Sequence, residues 1–442
     1  MGNLSTPESV QKLQTALHAK AKETPGFRFY ALYDKVYRAD VLTHAYERCR
    51  ANDGAEGVDG QRFENIEAYG VEKWLGELTQ ALREKRYEAQ AIRRVFIPKP
   101  DGRLRPLGIP TIRDRVVQTA VVLVLEPIFE ADLLPEQYAY RADRDALKAV
   151  DQVHSLLNEG HREVVDADLS GYFDSIPHEP LLKCVARRVS DRQVLHLIKM
   201  WLTAAVEEDD GRGGIKRTTG NRDSKRGIPQ GSPISPLLSN LYMRRFILGW
   251  RKLGHAGRYA AQIVNYADDL VICCKGQAEE ALQAMRQVMA RLGLTVNEEK
   301  THVCSVPREH FDFLGYTFGR CYSKRTGRAY LGTRPSKKSI RRMVKVISAE
   351  TESRWVGRSE AYVIGSLNRK LLGWANYFCS GSVGTAYRIL DMHTTSRLRR
   401  WLCKKHKGTR TAHLRYPDAY LYEKLGLIRV SQLTRSLPWA KA

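Results

Sequence analysis

The stretch NYADDLVICC, residues 265–274, sets two adjacent carboxylates, Asp268 and Asp269, inside an apolar run rich in valine and isoleucine. That pattern predicts a strand, a tight turn bearing the acids and a second strand. Asp supports turn geometry without any metal, so taken alone the doublet reads most simply as an exposed turn. A second acid run, VVDADLSGYFDSIPH at residues 164–178, alters that reading. It places Asp166 and Asp168 two apart, on one face of a strand, with Asp168 ending the apolar segment. Two hairpin acids and one strand-end acid, brought together in space, would supply the hard oxygen ligands that Mg²⁺ prefers. They would be costly to cluster without that cation. Two such ions about 3.5–4 Å apart do two-metal chemistry: one lowers the pKa of an attacking hydroxyl, the other stabilises the phosphates and leaving oxygen of an in-line displacement.

The rest of the chain bounds what such a site serves. At 442 residues, 43% hydrophobic and 27% charged, it is an ordinary globular protein, long enough for several domains and too long for a disulfide scaffold. Lys and Arg total 72 against 49 Asp and Glu, a formal net charge of +23. From residue 320 to 442 there are 27 basic and 6 acidic residues, so nearly all the surplus lies in the C-terminal quarter of an otherwise near-neutral chain. Phosphate backbones suit such a density because each neutralised phosphate releases a counterion; an anionic membrane surface is the competing target. The longest apolar stretch, residues 116–129, is interrupted by Gln118 and Glu126 and is too short for a bilayer, which takes about 20 residues per crossing. MGNLSTPESVQK lacks the basic and apolar regions of a secretory signal, and its formal match to a myristoylation pattern is explained by chance. The eight Cys show no C-x-x-C pair and no zinc-type spacing, which fits reduced structural thiols in a cytoplasm-like compartment.

Apolar spacing predicts helices over residues 9–22, 71–86, 145–158, 179–189, 235–251 and 278–292. Extended runs are expected near 93–98, 163–169 and 261–274. The glycine-rich NDGAEGVDG, residues 52–60, reads as an irregular loop, and no Gly-Lys-Ser/Thr follows to make it a nucleotide P-loop. Residues 207–226 read as a surface loop or hairpin. After about residue 335 the chain turns helical and basic.

With KRGIPQGSPISPLLSNLYM at residues 225–243, the two acid runs resemble the reverse transcriptase family, specifically its group II intron-encoded branch. The resemblance covers nearly the whole chain in family order. It runs through the glycine loop, RRVFIPKPDGRLRPLGIP at 93–110, QYAYRADRDAL at 137–147, the Asp168 block, PQG, YADD, LGLTVNEEKT at 292–301 and FDFLGYTF at 311–318. LNRKLLGWANYF at 367–378 resembles the maturase-specific thumb. The resemblance implies that Asp168 and Asp268 bind two Mg²⁺ ions, with Mn²⁺ as a substitute, that Asp269 assists, and that the Leu169 carbonyl adds an oxygen. Phe173 matches the steric gate that leaves no room for a 2′-hydroxyl; alone it would read as core packing. Lys99 and Arg105 match fingers residues that hold the incoming triphosphate, the alternative being a solvated basic loop. Gln230 would line the nucleotide pocket and Gly231 let the backbone approach closely. Lys300 is expected to orient the carboxylates or contact nucleotide or nucleic acid. Phe313, Leu314, Gly315 and Tyr316 match the primer-gripping turn, although a bare aromatic cluster is more often core.

Lys337, Lys338, Arg341 and Arg342, with Arg397, Arg399, Arg400, Lys404 and Lys405, would clamp duplex and intron RNA; taken singly, each run reads as a solvated face. QYAYRADRDAL keeps Tyr138, Arg141 and Arg144 but lacks the Gly and Pro of the family's Gly-Phe-Arg-Pro-Gly-Arg-Ser, which weakens template-side assignments. Ala267 in YADD is the common choice of the intron-encoded branch, where retroviral enzymes usually have Met. No Cys/His-rich endonuclease segment follows Lys407, so second-strand cleavage by this chain is not expected.

The expected architecture is an α+β right-hand polymerase with fingers, a ferredoxin-like palm and a helical thumb. Residues 1–90 would form an N-terminal extension and the start of the fingers, 91–162 the fingers, 163–320 the palm with fingers-contacting segments, 321–395 the thumb and 396–442 a basic DNA-binding tail. The expected activity is addition of dNTPs to a DNA or RNA primer on an RNA template, in a bacterial cytoplasm and not at a membrane. A maturase role on group II intron RNA and contact with target DNA accompany it. Three competitors are an RNA-dependent RNA polymerase, disfavoured by Phe173, an RNA-binding splicing factor with a vestigial palm, disfavoured by the intact acids, and a host-captured relative acting in DNA repair or phage defence.

Overall fold

A computed structural model describes residues 4–98, 102, 104–211, 214–323, 325–407 and 412–433. At its centre lies a four-stranded antiparallel sheet in the spatial order Gln262–Tyr266, Asp269–Cys274, Glu163–Asp168, His302–Ser305. By chain order that is 2-3-1-4. The helix Ser235–Lys252 lies in the first crossover and Ala278–Arg291 in the last, the split β-α-β arrangement of a ferredoxin-like palm. The run LVICC is apolar on consecutive residues because both faces of the sheet are covered. Leu270 and Ile272 pack with the crossover helices, whereas Val271 and Cys273 pack with Val150 and Val153 of the helix Ala146–Asn158 and with Phe311 and Phe318.

A second sheet, in the order Leu104–Ile109, Ile92–Pro98, Val206–Asp209, Ile215–Thr218, forms the expected fingers sheet. Two of its strands come from the 206–218 region, so the polar stretch read as a loop or hairpin is a hairpin that joins the fingers. The apolar stretch at 116–129 lies within the helix Ile112–Glu130. It is buried along nearly its whole length because it is wrapped by the helices Glu8–Glu23 and Ala39–Asn52. No helix among the described residues is long and apolar enough to cross a membrane.

The third sheet, Ala329–Pro335, Tyr316–Tyr322 and Phe311–Phe313, spans the expected palm–thumb boundary at 320. Beyond it the helices Lys337–Glu350, Glu360–Tyr377 and Gly384–Lys405 close around Ile347, Leu367, Leu371, Leu390 and Trp401. The expected boundary between residues 395 and 396 falls inside the continuous helix Gly384–Lys405. Tyr416, Leu421, Leu427 and Val430 are buried in the same core. Residues 396–433 therefore pack as part of the helical thumb and not as a separate tail, because their apolar side chains complete its core.

One buried carboxylate ties the N-terminal extension to the palm. Asp191 caps the helix Arg192–Leu202 through the N–H groups of Gln193 and Val194, and its other oxygen accepts from the N–H groups of Leu32 and Tyr33, both at 2.8 Å. Asp191→Ala leaves these donors without their acceptor in the interior and should lower unfolding free energy by about 2–4 kcal/mol. Denaturant titration of the purified variant checks this, with a smaller loss expected for Asp191→Asn.

Candidate active site

Asp168 ends the strand Glu163–Asp168 and lies opposite Asp269, the first residue of Asp269–Cys274, in antiparallel register. Residues opposed in this way project from the same side of a sheet, so the two carboxylates share one shelf. Tyr266 also faces Asp269, leaving Ala267 and Asp268 as a two-residue turn. Ala267 has a φ of 56°, the left-handed conformation that primed hairpin turns place at their first central residue. Buried Asn265 holds the turn: its Nδ2 donates to the carbonyls of Ala267 at 2.9 Å and Asp269 at 3.2 Å. The segment 136–138 pairs with Asn265 from the other side, through the Glu136 carbonyl and the Tyr138 N–H.

Asp168 is already engaged. The Nδ2 of Asn297 and the Nζ of Lys300 both donate to its Oδ2, at 2.9 and 3.0 Å, and its backbone N–H donates to Thr301 Oγ1. Of the roles expected for Lys300, orientation of the carboxylates matches this contact. Asn297, within the NEEK segment, is a functional candidate that sequence reading passed over. Asp269 keeps surface open to the cleft, yet its carboxyl is crowded. Desolvation first, then the charges of Asp268, Asp166 and Asp168, push it up to about 7, with Lys300 opposing. Asp166 rises to about 6 through burial, opposed by His302 and reinforced by Asp168 and Asp312. Among the described residues no three His, Cys, Asp or Glu side chains close into a ready-made metal cage. The donor chemistry nonetheless suits a hard divalent cation, because carboxylate oxygens gathered on one shelf repel one another until a cation joins them.

Beside the shelf is a cavity of about 560 Å³ whose lining includes Arg105, Tyr140, Phe173, Gln230 and Gly231. Four residues expected to surround a nucleotide thus come together from three separate segments. Lys99 lies outside the described residues. Gly231 has a φ of +113°, and a Cβ there would stand 2.6 Å from the Gly108 carbonyl oxygen. The close approach made possible by this glycine is therefore to the fingers strand Leu104–Ile109, whose Gly108 N–H donates to the Gln230 carbonyl at 2.6 Å. Tyr140, with half of its surface exposed, reaches the charges of Asp268 and Asp269. It sits in the segment that departs from the family pattern, which is why its place in the cavity was not legible. Arg141 binds Glu130 and the carbonyls of Leu134 and Gln137, so its guanidinium is structural.

In FLGY, the side chains of Phe313 and Tyr316 are core, the simpler of the two readings. Leu314 and Gly315, with φ of 48° and 81°, form the turn between them. The Gly315 carbonyl accepts from Ser336 N–H and Ser339 Oγ, and the Leu314 carbonyl accepts from Tyr377 OH, so the turn docks on the thumb. Lys337, Lys338, Arg341 and Arg342 are exposed and share one helical face. Arg399 departs from its expected role: it is buried, bonded to the Tyr416 carbonyl and paired with Asp418, because it anchors the chain that folds back onto the helix. Arg397 bonds Ser348 and Thr351, Lys404 bonds Ser353, and Lys405 bonds the carbonyls of Val356 and Arg358, whereas Arg400 is exposed.

A family model described as reverse transcriptase (RNA-dependent DNA polymerase) matches residues 97–318, and one described as the group II intron maturase-specific domain matches residues 340–416. Protein YkfC of Escherichia coli (strain K12) is 32% identical over 368 residues, covering 75% of this chain and 93% of that protein. The group II intron-encoded protein LtrA of Lactococcus lactis is 25% identical over 472 residues, covering 86% of this chain and 76% of its own length. The chain belongs to the reverse transcriptase family, in the group II intron-encoded branch that joins an RNA-directed DNA polymerase to a maturase domain.

Proposed function

We propose that Asp168, Asp268 and Asp269 form the catalytic centre of this RNA-directed DNA polymerase, that they act with two Mg²⁺ ions for which Mn²⁺ can substitute, and that the maturase domain binds group II intron RNA. The observation that carries this reading is the register that sets Asp168 against Asp269 beside the cavity lined by Arg105, Phe173 and Gln230. Asp168, Asp268 and Asp269 would hold the divalent magnesium, whose chemistry when bound would be to lower the pKa of the primer 3′-hydroxyl and to neutralise charge on the phosphates. The chain's own residues do the positioning. Lys300 and Asn297 fix the direction of the Asp168 carboxylate, and the carbonyl of the next residue, Leu169, would contribute a further oxygen. Arg105 offers a forked donor to the triphosphate, with Lys99 as its expected companion. Gln230 lines the cavity proposed to take the nucleotide, and the Phe173 ring excludes a 2′-hydroxyl, which selects dNTPs. The turn Leu314–Gly315 would meet the primer strand through backbone, and Lys337, Lys338, Arg341, Arg342 and Arg400 would hold template, primer and intron RNA by their phosphates. A bacterial cytoplasmic setting and contact with target DNA complete the proposal.

The joint substitution Asp268→Ala and Asp269→Ala should lower primer extension on an RNA template by at least about 1000-fold while leaving RNA affinity within about twofold. Equal loss of both would refute the separation of chemistry from binding. Phe173→Ala should raise rNTP incorporation relative to dNTP by about tenfold or more, read from single-nucleotide kcat/KM ratios.

A third expectation concerns metal removal. A carboxyl whose folded pKa is raised contributes stability below its unfolded value and loses it as pH rises through the folded value. For Asp269 that loss runs through about pH 7. Chelated wild-type protein should thus melt progressively lower relative to Asp269→Asn as pH rises from about 4 to about 7, with the gap levelling off above that, and added Mg²⁺ should close it. Thermal melts across that range check it.

A further inference from the structure

The near-neutral net charge of residues 1–319 conceals a spatial separation of charge. On the palm, away from the acid shelf, the helices His178–Ala186 and Ser235–Lys252 bring Arg187, Arg188, Arg244 and Arg245 around Cys184 and Asp132, lining adjoining cavities of about 330 and 280 Å³. Asp132 is the carboxylate in this lining, and it is already used. Its side chain pairs with Arg188 at 3.3 Å, and its carbonyl accepts from Arg244 Nε at 2.7 Å. Arg188 is buried and structural: its terminal nitrogens bond the carbonyls of Ala21, Thr24 and Pro25 at the end of the first helix. Arg187, Arg244 and Arg245 have no ion-pair partner among the described residues, and burial, opposed by the Asp132 charge and reinforced by Arg187 and Arg188, pulls Arg244 down from its usual range.

This is the inverse of the acid shelf: four guanidinium groups gathered in a recess around a single carboxylate, Asp132. We propose that the cleft between these two palm helices is a second phosphate-binding site, in which Arg187, Arg244 and Arg245 hold backbone phosphates of a bound RNA. Arg244 is held by its Nε, and Arg245 lies over the Tyr242 ring at 5.4 Å, so both guanidinium planes are steadied before a ligand arrives. The positive surface continues across the helix His178–Ala186, where Arg192, Lys199 and Lys225 line the rim of the neighbouring groove. That groove is lined by the aliphatic side chains of Leu182, Leu195 and Leu202 together with His178 and His196, while the guanidinium cleft beside it would meet RNA through phosphates. Arg244 is nine residues along the helix from Ser235, which lines the nucleotide cavity. At about 1.5 Å per residue this places the cleft on the order of 13 Å further along the palm, beyond the reach of the reacting groups.

The test uses the full chain with a labelled RNA hairpin, its affinity measured by anisotropy over a range of salt concentrations. The triple variant Arg187→Ala, Arg244→Ala, Arg245→Ala should bind at least about tenfold more weakly and with a log–log salt slope shallower by about 2. The corresponding triple Lys variant should keep the slope, and both should extend a short primed template at the wild-type rate with an unchanged melting temperature. Unchanged affinity and slope in the Ala variant would overturn the proposal. So would equal loss in the Lys variant accompanied by a lower melting temperature, which marks a structural role. Sensitivity of binding to phosphatidylserine vesicles or inorganic phosphate, but not to RNA, would overturn the RNA assignment. Failure of the wild type to extend any primer would bear on the polymerase reading alone.

Discussion

Like charges held together in a low-dielectric setting govern this molecule. Side chains opposed across an antiparallel pair cannot avoid one another, so the register Asp168–Asp269 fixes an electrostatic conflict that the fold must contain. It is contained from three directions. Asn265 clasps the turn from beneath, Lys300 and Asn297 draw the Asp168 carboxylate aside, and both faces of the sheet are packed so tightly that the strands cannot slip. A one-residue slip would carry the acids to opposite faces and bury apolar partners against solvent-facing positions.

Much of this was legible because the signals were periodic or chemically rare. An acid doublet within LVICC and an Asp-x-Asp at the end of a valine run have few explanations, and the helices Ala146–Asn158, Ser235–Lys252 and Ala278–Arg291 lie close to where apolar spacing put them. The expected nucleotide-site residues Arg105, Phe173, Gln230 and Gly231 share a cavity although they are distant in sequence. What escaped was tertiary. The helix Ile112–Glu130 is buried on nearly every side, polar residues such as Asp114 and Gln118 included, so it has no amphipathic period to read, and only its surroundings explain it. Asn297 and Tyr140 are ordinary polar residues until the fold brings them to the shelf and the cavity.

Charge shows the same limit in another form. A sum along the chain located the basic surplus after residue 320, where the exposed cations of the helix Lys337–Glu350 lie. It could not distinguish those from Arg399, which is spent inside the thumb, nor detect that the near-neutral body gathers Arg187, Arg188, Arg244 and Arg245 in one recess of the palm. Net charge is a property of a list, whereas recognition depends on which charges remain uncompensated in space.

The seam between Gly108 and Gly231 carries a mechanical consequence. Two strands of main chain meet there without any intervening rotamer, and one hydrogen bond from Gly108 to Gln230 spans the joint. Side chains ordinarily act as shock absorbers between moving parts, taking up displacement by small torsions. A joint of main chain against main chain has little slack, so the sheet bearing Arg105 and the wall bearing Gln230 are held close in register. Arg105 and Gln230, both proposed to meet the nucleotide, are thereby linked through main chain.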